Sequence, residues 1–325
     1  MLFLRIIEPM KWRAAWVFAV VGTLWGSAWI PASVALHAVP TLRAGTVRFA
    51  LAAIFAASLA LIVRLRNRAE LPRTPALLRD SIVLGLTALA LPYALTAFAA
   101  GQVSSGAVVV LLAFMPLAAL LLSREAMSAA IPALVIGIGG VAFLVAQGLS
   151  FSAAQWKGAA LTLCAVALGA FSLNYAKARL RRSDLLASVS IQFACAAIFL
   201  GSLSAFIEHG SPGAWSHEAV LSLLILGVAI SAVTLPLMYL LLIELESWQV
   251  ASLQWSATLV AVAESAWILR ARPSVDMWAG AGLIVGATVW LLRGSGAREP
   301  ETVTLQITNH TRRAPNASES EVGSK

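Results

Sequence analysis

Six long segments of this chain carry no Asp, Glu, Lys or Arg. A helix needs about 20 apolar residues to cross the hydrocarbon core of a bilayer, whereas a barrel strand needs only about 9–11 alternating ones. We therefore expect these segments to form membrane-spanning helices, with two helices in the longest segment. The charge-free segments are residues 14–42, 81–123, 126–156, 158–176, 185–207 and 219–243.

The overall composition favours the same interpretation. Of the 325 residues, 60% are hydrophobic and 12% are charged, whereas a soluble domain is roughly 25% charged. A soluble enzyme or binding module is close to excluded, because a soluble surface must be covered largely with polar groups. The net charge of +8 comes from short basic clusters between apolar stretches. These clusters predict membrane topology and contact with anionic lipid, and no nucleic-acid partner is expected.

We predict an all-α integral membrane protein with ten transmembrane helices. The third and fourth helices are separated by a predicted tight turn at 101–106, where the sequence reads Gly-Gln-Val-Ser-Ser-Gly. The ten predicted spans are 13–33, 42–63, 81–100, 104–123, 129–148, 157–177, 184–207, 219–243, 247–269 and 276–293.

The distribution of Lys and Arg predicts the orientation of these spans. With ten spans both termini lie on one side, which receives 18 of the 23 Lys and Arg residues, against four on the other side. Cytoplasmic loops are enriched in Lys and Arg. A multi-pass protein of the cytoplasmic membrane with both termini in the cytoplasm is therefore predicted, and the first span is expected to be retained rather than cleaved as a signal peptide.

Ten spans divide into two sets of five, and an odd number makes two copies insert with opposite orientations. We therefore predict two inverted five-helix repeats, at 1–148 and 149–293, followed by a disordered cytoplasmic tail at 294–325. Small residues at 137–141 in the fifth span and at 279–287 in the tenth form faces suited to close helix packing. Small residues are also simply frequent in membrane helices, and that alternative stays open.

Short motifs lie at defined positions in the first half. The first span contains Leu-Trp-Gly-Ser-Ala-Trp at 24–29, and the second contains Arg-Phe at 48–49. The fourth begins Val-Ser-Ser-Gly-Ala at 103–107, continues with Pro-Leu at 116–117 and is followed by Arg-Glu at 124–125. With ten spans in about 300 residues and short loops, this order resembles the EamA-type members of the drug/metabolite transporter superfamily.

The resemblance implies a secondary transporter that moves small organic metabolites or drug-like compounds by alternating access, usually by efflux from the cell. The second half departs from the family pattern, with Ala-Thr-Leu at 257–259 in place of a proline and Arg-Ala at 270–271 in place of Gly-Glu. A divergent second half is therefore predicted, and no particular substrate is implied. The chain has no Walker A motif for binding ATP, so coupling to protons is a plausible source of energy.

Aromatic and amide side chains inside the spans are candidates for the substrate site. Transporter pockets near the bilayer midplane combine aromatic walls with a few polar groups. Helix packing, or an aromatic belt at the membrane interface, is the alternative explanation of the same residues. The substrate-binding candidates are Trp25, Trp29, Tyr93, Asn174, Gln254, Trp255 and Glu264.

Two charged residues interrupt predicted spans at a similar depth. Arg48 in the second span and Glu264 in the ninth each lie roughly 8–9 Å below the same surface. A charge at the bilayer centre costs about 2.5–3.5 kcal/mol on insertion scales, so such residues usually face a partner or water. We predict that the two form an ion pair that gates the outer half of the pathway. Proton coupling or substrate binding by Glu264, and simple extension of either side chain to the surface, are the alternatives.

Other functional classes have less support in the sequence. An embedded enzyme needs a catalytic set at membrane depth, and the chain has neither H-E-x-x-H nor G-x-S-x-G. We expect no enzyme activity, no cofactor and no metal, because the two cysteines form no metal-binding motif. A non-transporting membrane partner or assembly subunit is the main alternative. The expected partners are a small-molecule substrate and the lipid bilayer, with a homodimer left open.

Overall fold

The chain is helical throughout the part that the computed structural model describes, with one isolated bridge between Ala100 and Val103. The predicted all-α membrane class is confirmed. The proposed tail at 294–325 lies outside the described residues. These residues are 9–67, 75–123, 130–146, 155–180, 185–209, 215–268, 270 and 274–293.

Fifteen α-helices and two π-helical segments contain most of the described residues. The helices are α1 Pro9–Ser27, α2 Trp29–Ala38, α3 Thr41–Asn67, α4 Pro75–Leu84, α5 Leu91–Ala99, α6 Ser105–Leu112, α7 Met115–Ser123, α8 Ile131–Leu144, α9 Trp156–Arg179, α10 Leu185–Ile207, α11 His217–Leu224, α12 Ala232–Glu244, α13 Ser247–Ala251, α14 Leu253–Ile268 and α15 Val275–Arg293. The π-helical segments are Gly85–Ala90, which joins α4 to α5, and Ile225–Ser231, which joins α11 to α12.

Eight helical segments of the described residues are long and apolar enough to cross a membrane. They correspond to predicted spans one to four, six to eight and ten. The predicted fifth span is represented by the shorter α8, and the ninth is divided at Ser252 between α13 and α14. The chain is therefore a multi-pass membrane protein, while the number ten and the inverted repeat stay predictions.

Several predicted spans are interrupted within the membrane. A turn at Ala28 separates α1 from α2, and another at Ala113 separates α6 from α7. Four interruptions are followed closely by a proline, which is Pro31, Pro92, Pro116 or Pro236. Proline lacks a backbone donor, and its ring pushes on the carbonyl four residues earlier, which loosens the preceding turn. The predicted turn after the third span is present, and Gly101 adopts the left-handed backbone there with φ of 82°.

Many small residues lie between the helices beside buried leucines and aromatic rings, and other large apolar residues face outward. Outward apolar side chains such as Trp16, Phe206 and Trp267 suit contact with lipid tails. The largest helix contact is between α3 and α10, and the next largest is between α8 and α15. In the second pair, a Cβ added at Gly280 would lie 2.6 Å from the Gly140 carbonyl oxygen, so glycine at this crossing allows close backbone approach.

Glu208 joins the end of α10 to the beginning of α3. Its carboxylate accepts hydrogen bonds from the backbone N–H of Leu42 (2.7 Å) and of Arg43 (2.9 Å), and from the hydroxyl of Ser204 (2.7 Å). The first N–H groups of a helix have no partner within the helix, and a negative group there is also favoured by the helix dipole. The contact therefore caps α3 from another helix.

Replacing Glu208 with alanine is expected to lower the free energy of unfolding by about 0.5–2 kcal/mol, the range for losing a helix cap. The backbone donors at Leu42 and Arg43 would lose their acceptor. Thermal unfolding in detergent, followed by tryptophan fluorescence, measures the change. Glu244→Ala at an exposed position at the end of α12 is the control. Equal unfolding temperatures for the two variants would contradict the capping role.

Candidate substrate cavity

A cavity of about 250 Å³ lies between helices of the first and second halves of the chain. Its walls come from α1, α3, α5, α6, α7, α9, α10, α12, α13 and the two π-helical segments. Aromatic rings, methionines and a few hydroxyl groups surround one guanidinium group. The aromatic lining consists of Trp25, Phe49, Tyr93, Phe193 and Tyr239, and the other polar lining consists of Arg48, Thr96, Ser172, Ser231 and Thr234.

Arg48 is the charged residue of this lining. Its Nε donates a hydrogen bond of 2.7 Å to the hydroxyl of Ser231, the last residue of the second π-helical segment. Its guanidinium carbon lies 5.6 Å from the centre of the Phe49 ring, close enough for a cation–π interaction. A Cβ at Gly227 would lie 2.8 Å from the Arg48 carbonyl oxygen. The glycine therefore lets the π-helical segment approach α3 and bring Ser231 to Arg48.

Tyr93 is held against α3 beside Arg48. Its hydroxyl donates to the carbonyl of Thr41 at 3.0 Å, and its ring meets Phe49 edge-on with centres 5.7 Å apart. A Cβ at Gly45 would lie 2.5 Å from the Tyr93 ring. The ring therefore packs directly on the backbone of α3, which fixes one aromatic wall of the cavity.

A chain of hydrogen bonds links α12, α10 and α4 behind the cavity. Tyr239 donates to the Gln192 side-chain oxygen at 2.6 Å, and the Gln192 amide donates to Ser188 at 2.9 Å. The hydroxyls of Ser188 and Ser81 lie 2.8 Å apart. Gln192 and Ser188 are fully buried, and both ends of the Gln192 amide are hydrogen-bonded, as a buried amide requires.

The segments around Arg48 and Gln192 resemble each other in sequence. Residues 46–55 read Thr-Val-Arg-Phe-Ala-Leu-Ala-Ala-Ile-Phe, and residues 190–199 read Ser-Ile-Gln-Phe-Ala-Cys-Ala-Ala-Ile-Phe, with six identical positions. Arg48 and Gln192 are each the eighth residue of their helix, counted from Thr41 and from Leu185. The two following phenylalanines, Phe49 and Phe193, stack with ring centres 5.9 Å apart. Matching positions of α3 and α10 thus meet beside the cavity.

The second half of the chain matches the model of the EamA-like transporter family at residues 156–293. That segment belongs to this family. The family predicted from the sequence is confirmed for this segment, and it is a family of membrane transporters. The match covers the half whose motifs depart from the pattern at 257–259 and 270–271, so these departures do not remove the segment from the EamA-like family.

Two further similarities extend beyond the EamA-like segment. The chain is 23% identical to Protein PagO of Salmonella typhimurium over 217 residues, which make up 65% of this chain and 70% of PagO. A solved crystal structure matches with a TM-score of 0.71 at 17% identity, covering 86% of this chain and 98% of that chain. The second similarity shows a shared fold across both halves.

Three of the residues predicted from the sequence line the cavity. Trp25, Arg48 and Tyr93 all belong to the first half, and the EamA-like segment supplies the opposite wall. Trp29 lies outside this lining on α2 and is 54% exposed. Gln254 is also outside the lining, on α14.

Asn174 and Trp255 have structural partners instead of a place in the cavity lining. Asn174 donates at 3.0 Å to the carbonyls of Ala119 and Ala170 and accepts from Ser247 at 2.6 Å, which joins α9 to α7 and α13. Trp255 is fully buried, and its indole N–H donates to the Ala113 carbonyl at 2.9 Å. That bond satisfies a carbonyl at the break between α6 and α7, so both residues stabilise interrupted helices.

The predicted ion pair between Arg48 and Glu264 is not formed. Arg48 is bonded to Ser231, whereas Glu264 accepts a hydrogen bond of 2.5 Å from Ser27 at the end of α1. The ion pairs of the described residues are Arg79–Asp80 and Lys177–Glu246. The position of a residue along a helix predicts its depth in the membrane. Whether two residues at the same depth make contact also depends on the face of each helix on which they lie. Glu264 lies on the α1 side of α14, away from the cavity lining.

Sequence reasoning missed most of the cavity's hydroxyl groups and three of the five aromatic residues in its lining. Ser172, Ser231 and Thr234 look like ordinary small residues of membrane helices. Phe193 and its neighbour Gln192 carry a usable signal, because the similarity of residues 190–199 to 46–55 places them opposite Arg48 and Phe49.

Proposed function

We propose that this protein is a secondary transporter that carries small organic solutes through the central cavity by alternating access. The observation that carries the proposal is the cavity itself, which both halves of the chain enclose with aromatic walls and a few polar groups. At about 250 Å³, it is smaller than the ~300–1,000 Å³ of sites for drug-sized ligands. Its size therefore favours a metabolite-sized solute over a large drug.

The proposed architecture is a pair of inverted five-helix repeats, at 1–148 and 149–293. The similarity of residues 46–55 to 190–199 supports it, together with the equal positions of these segments in α3 and α10. Each repeat also contains one helix with a π-helical segment, and a glycine of that segment packs on the other repeat: Gly85 against Gln192, and Gly227 against Arg48. Both termini lie in the cytoplasm in this proposal, and export is the direction implied by the resemblance to EamA-type transporters.

Glu264 is the proposed proton-coupling group. Its Oε2 is buried and has no hydrogen-bond partner among the described residues. An ionised carboxylate is costly at membrane depth without a cation or several donors, and Ser27 supplies a single hydrogen bond. The carboxyl contacts Ser27, the last residue of α1 before the turn at Ala28 that separates α1 from α2.

Filling the cavity tests the transport function. Gly169 lines the cavity on α9, and its nearest neighbour is the flexible end of Met115, so Gly169→Leu occupies the cavity without a backbone clash. Ala167 is exposed on the same helix, and Ala167→Leu is the matched control. We expect counterflow into proteoliposomes to fall about tenfold or more in Gly169→Leu, since 1.4 kcal/mol of lost binding is a factor of ten.

The counterflow panel represents each charge class: benzoate, phenylalanine, benzylamine and glucose. Equal counterflow in the three proteins would contradict transport through this cavity. No counterflow of any solute would favour the alternative of a non-transporting membrane partner. A truncation that removes residues 296–325 further distinguishes a transporter from a non-transporting partner, because a transporter is expected to keep its activity without this tail.

A further inference from the structure

We propose that the solute held in the cavity is a monoanion, a carboxylate with an apolar or aromatic body and no ammonium group, and that Arg48 binds its negative end. This inference rests on the proposed transport function and names the substrate class of the same site. The juxtaposition that carries it is a guanidinium that has no carboxylate partner among the described residues and lies in a cavity lined by aromatic rings.

The hydrogen-bonding capacity of Arg48 is mostly unused. A guanidinium has five N–H donors arranged as a fork that matches a carboxylate in bidentate geometry. Among the described residues, the hydrogen bond of this side chain is the one from Nε to Ser231. The nitrogens at the end of the fork are therefore available to a ligand in the cavity, which Arg48 lines.

The charge of Arg48 is also unbalanced within the described part of the protein. No described carboxylate lies within 4.0 Å of its guanidinium nitrogens. Glu208, which lies near the start of the same helix, already accepts three hydrogen bonds at the cap of α3. The Phe49 ring contributes a cation–π contact, which is far weaker than a full counter-charge. A cation in low-polarity surroundings is stabilised strongly by an anion, so a carboxylate ligand completes this site.

The counterpart of Arg48 in α10 limits the ligand to one negative group. Gln192 occupies the matching position, is neutral, and has both ends of its amide hydrogen-bonded to Tyr239 and Ser188. The α3 wall of the cavity thus carries the positive charge of Arg48. The matching position on α10 carries the neutral amide of Gln192, which is already hydrogen-bonded. A dianion would leave its second charge without a partner.

The rest of the lining argues against a cationic or zwitterionic solute. The described lining contains no Asp or Glu, so an ammonium group would have no counter-charge and would be repelled by Arg48. Trp25, Phe49 and Phe193 instead offer apolar surface. An aromatic or branched monocarboxylate places its negative group at Arg48 and its apolar body against the aromatic rings of the cavity.

The test compares carboxylates with their uncharged analogues on the full-length protein. Benzoate, phenylacetate and 3-methylbutanoate are paired with benzamide, phenylacetamide and 3-methylbutanamide, and phenylalanine and benzylamine complete the series. Binding is measured by the rise in unfolding temperature with ligand concentration, which reports affinity because the ligand binds the folded state. We expect at least one carboxylate to bind about tenfold or more tightly than its amide, as a charge-assisted hydrogen bond predicts.

Variants of Arg48 separate ligand binding from folding. Arg48→Gln, which copies the residue at the matching position of α10, is expected to abolish the preference for carboxylate over amide. It is also expected to keep or raise the unfolding temperature without ligand, because it removes a partly buried charge that has no described carboxylate partner. Arg48→Lys retains the charge and is expected to keep part of the preference. A merely structural Arg48 would instead give a lower unfolding temperature in Arg48→Gln and an unchanged ligand preference.

The outcomes distinguish this inference from the transport function. Counterflow of glucose, phenylalanine or benzylamine that Gly169→Leu blocks and Arg48→Gln does not would overturn the anion assignment and leave the transporter in place. Amides that bind as well as the carboxylates would overturn it equally. Carboxylate binding without counterflow of any solute would instead contradict the transport function.

Discussion

Glu264→Gln is expected to abolish accumulation of substrate driven by a pH gradient while leaving substrate exchange intact. Glutamine keeps the size of the side chain and an oxygen that accepts from Ser27, but it cannot bind and release a proton. Exchange of one substrate molecule for another needs no net proton movement, so it is expected to continue without a carboxyl group at this position. The variant therefore separates the coupling step from the binding step.

The measurement is uptake of a counterflow substrate into proteoliposomes with and without an imposed pH difference. The native protein is expected to accumulate substrate severalfold above equilibrium, and the variant is expected to reach equilibrium only. Glu244→Gln, the same chemical change at an exposed position, is the control and is expected to behave like the native protein. Accumulation that persists in Glu264→Gln would assign Glu264 a structural role between α1 and α14.

Gly280→Val is expected to disrupt the packing of α15 on α8 and to prevent normal folding of much of the protein. A Cβ at this position would lie 2.5 Å from the Leu144 backbone nitrogen and 2.6 Å from the Gly140 carbonyl oxygen. Both neighbours belong to the backbone of α8, so neither can move aside as a side chain can. Overpacking in a well-packed core typically costs about 1–3 kcal/mol, and a backbone clash falls at the upper end of this range or beyond it.

Gly282 provides the matched control on the same helix. A Cβ at Gly282 would meet no described atom within 4 Å, so Gly282→Val is expected to leave the unfolding temperature almost unchanged. The comparison uses purified protein in detergent, with the unfolding temperature and the monodisperse fraction as readouts. Similar values for the two variants would mean that the crossing of α8 and α15 adapts to a side chain.

The sequence predicted where the helices lie along the chain, but it did not predict which face of each helix packs against its neighbours. The small-residue faces of the fifth and tenth predicted spans do pack closely, as expected, but nothing in either pattern indicated that they pack on each other through Gly140 and Gly280. Hydropathy marks which residues lie in the membrane. It does not mark which way a helix faces when the lipid and the protein interior are both apolar.

The same limit explains the outcome at the candidate site. Arg48 and Tyr93 were found because charged and aromatic residues stand out inside an apolar span, and both line the cavity. Asn174 and Trp255 stand out equally, yet they satisfy carbonyls near interrupted helices. A polar group in a membrane helix serves packing or binding with the same chemistry. The interruptions at Ala28 and Ala113 are each followed three residues later by a proline, whereas the interruption at Ser252 has no such signal in the sequence.

The cap that Glu208 places on α3 has a mechanical consequence. Parting α3 from α10 to open the cavity would break the hydrogen bonds of Glu208 to Leu42 and Arg43 together with the stack of Phe49 on Phe193. Tilting the two helices that contain π-helical segments would break none of these contacts. In the proposed alternating-access cycle, we therefore expect α3 and α10 to move together, and the helices that carry Ser231 and Tyr93 to move relative to them.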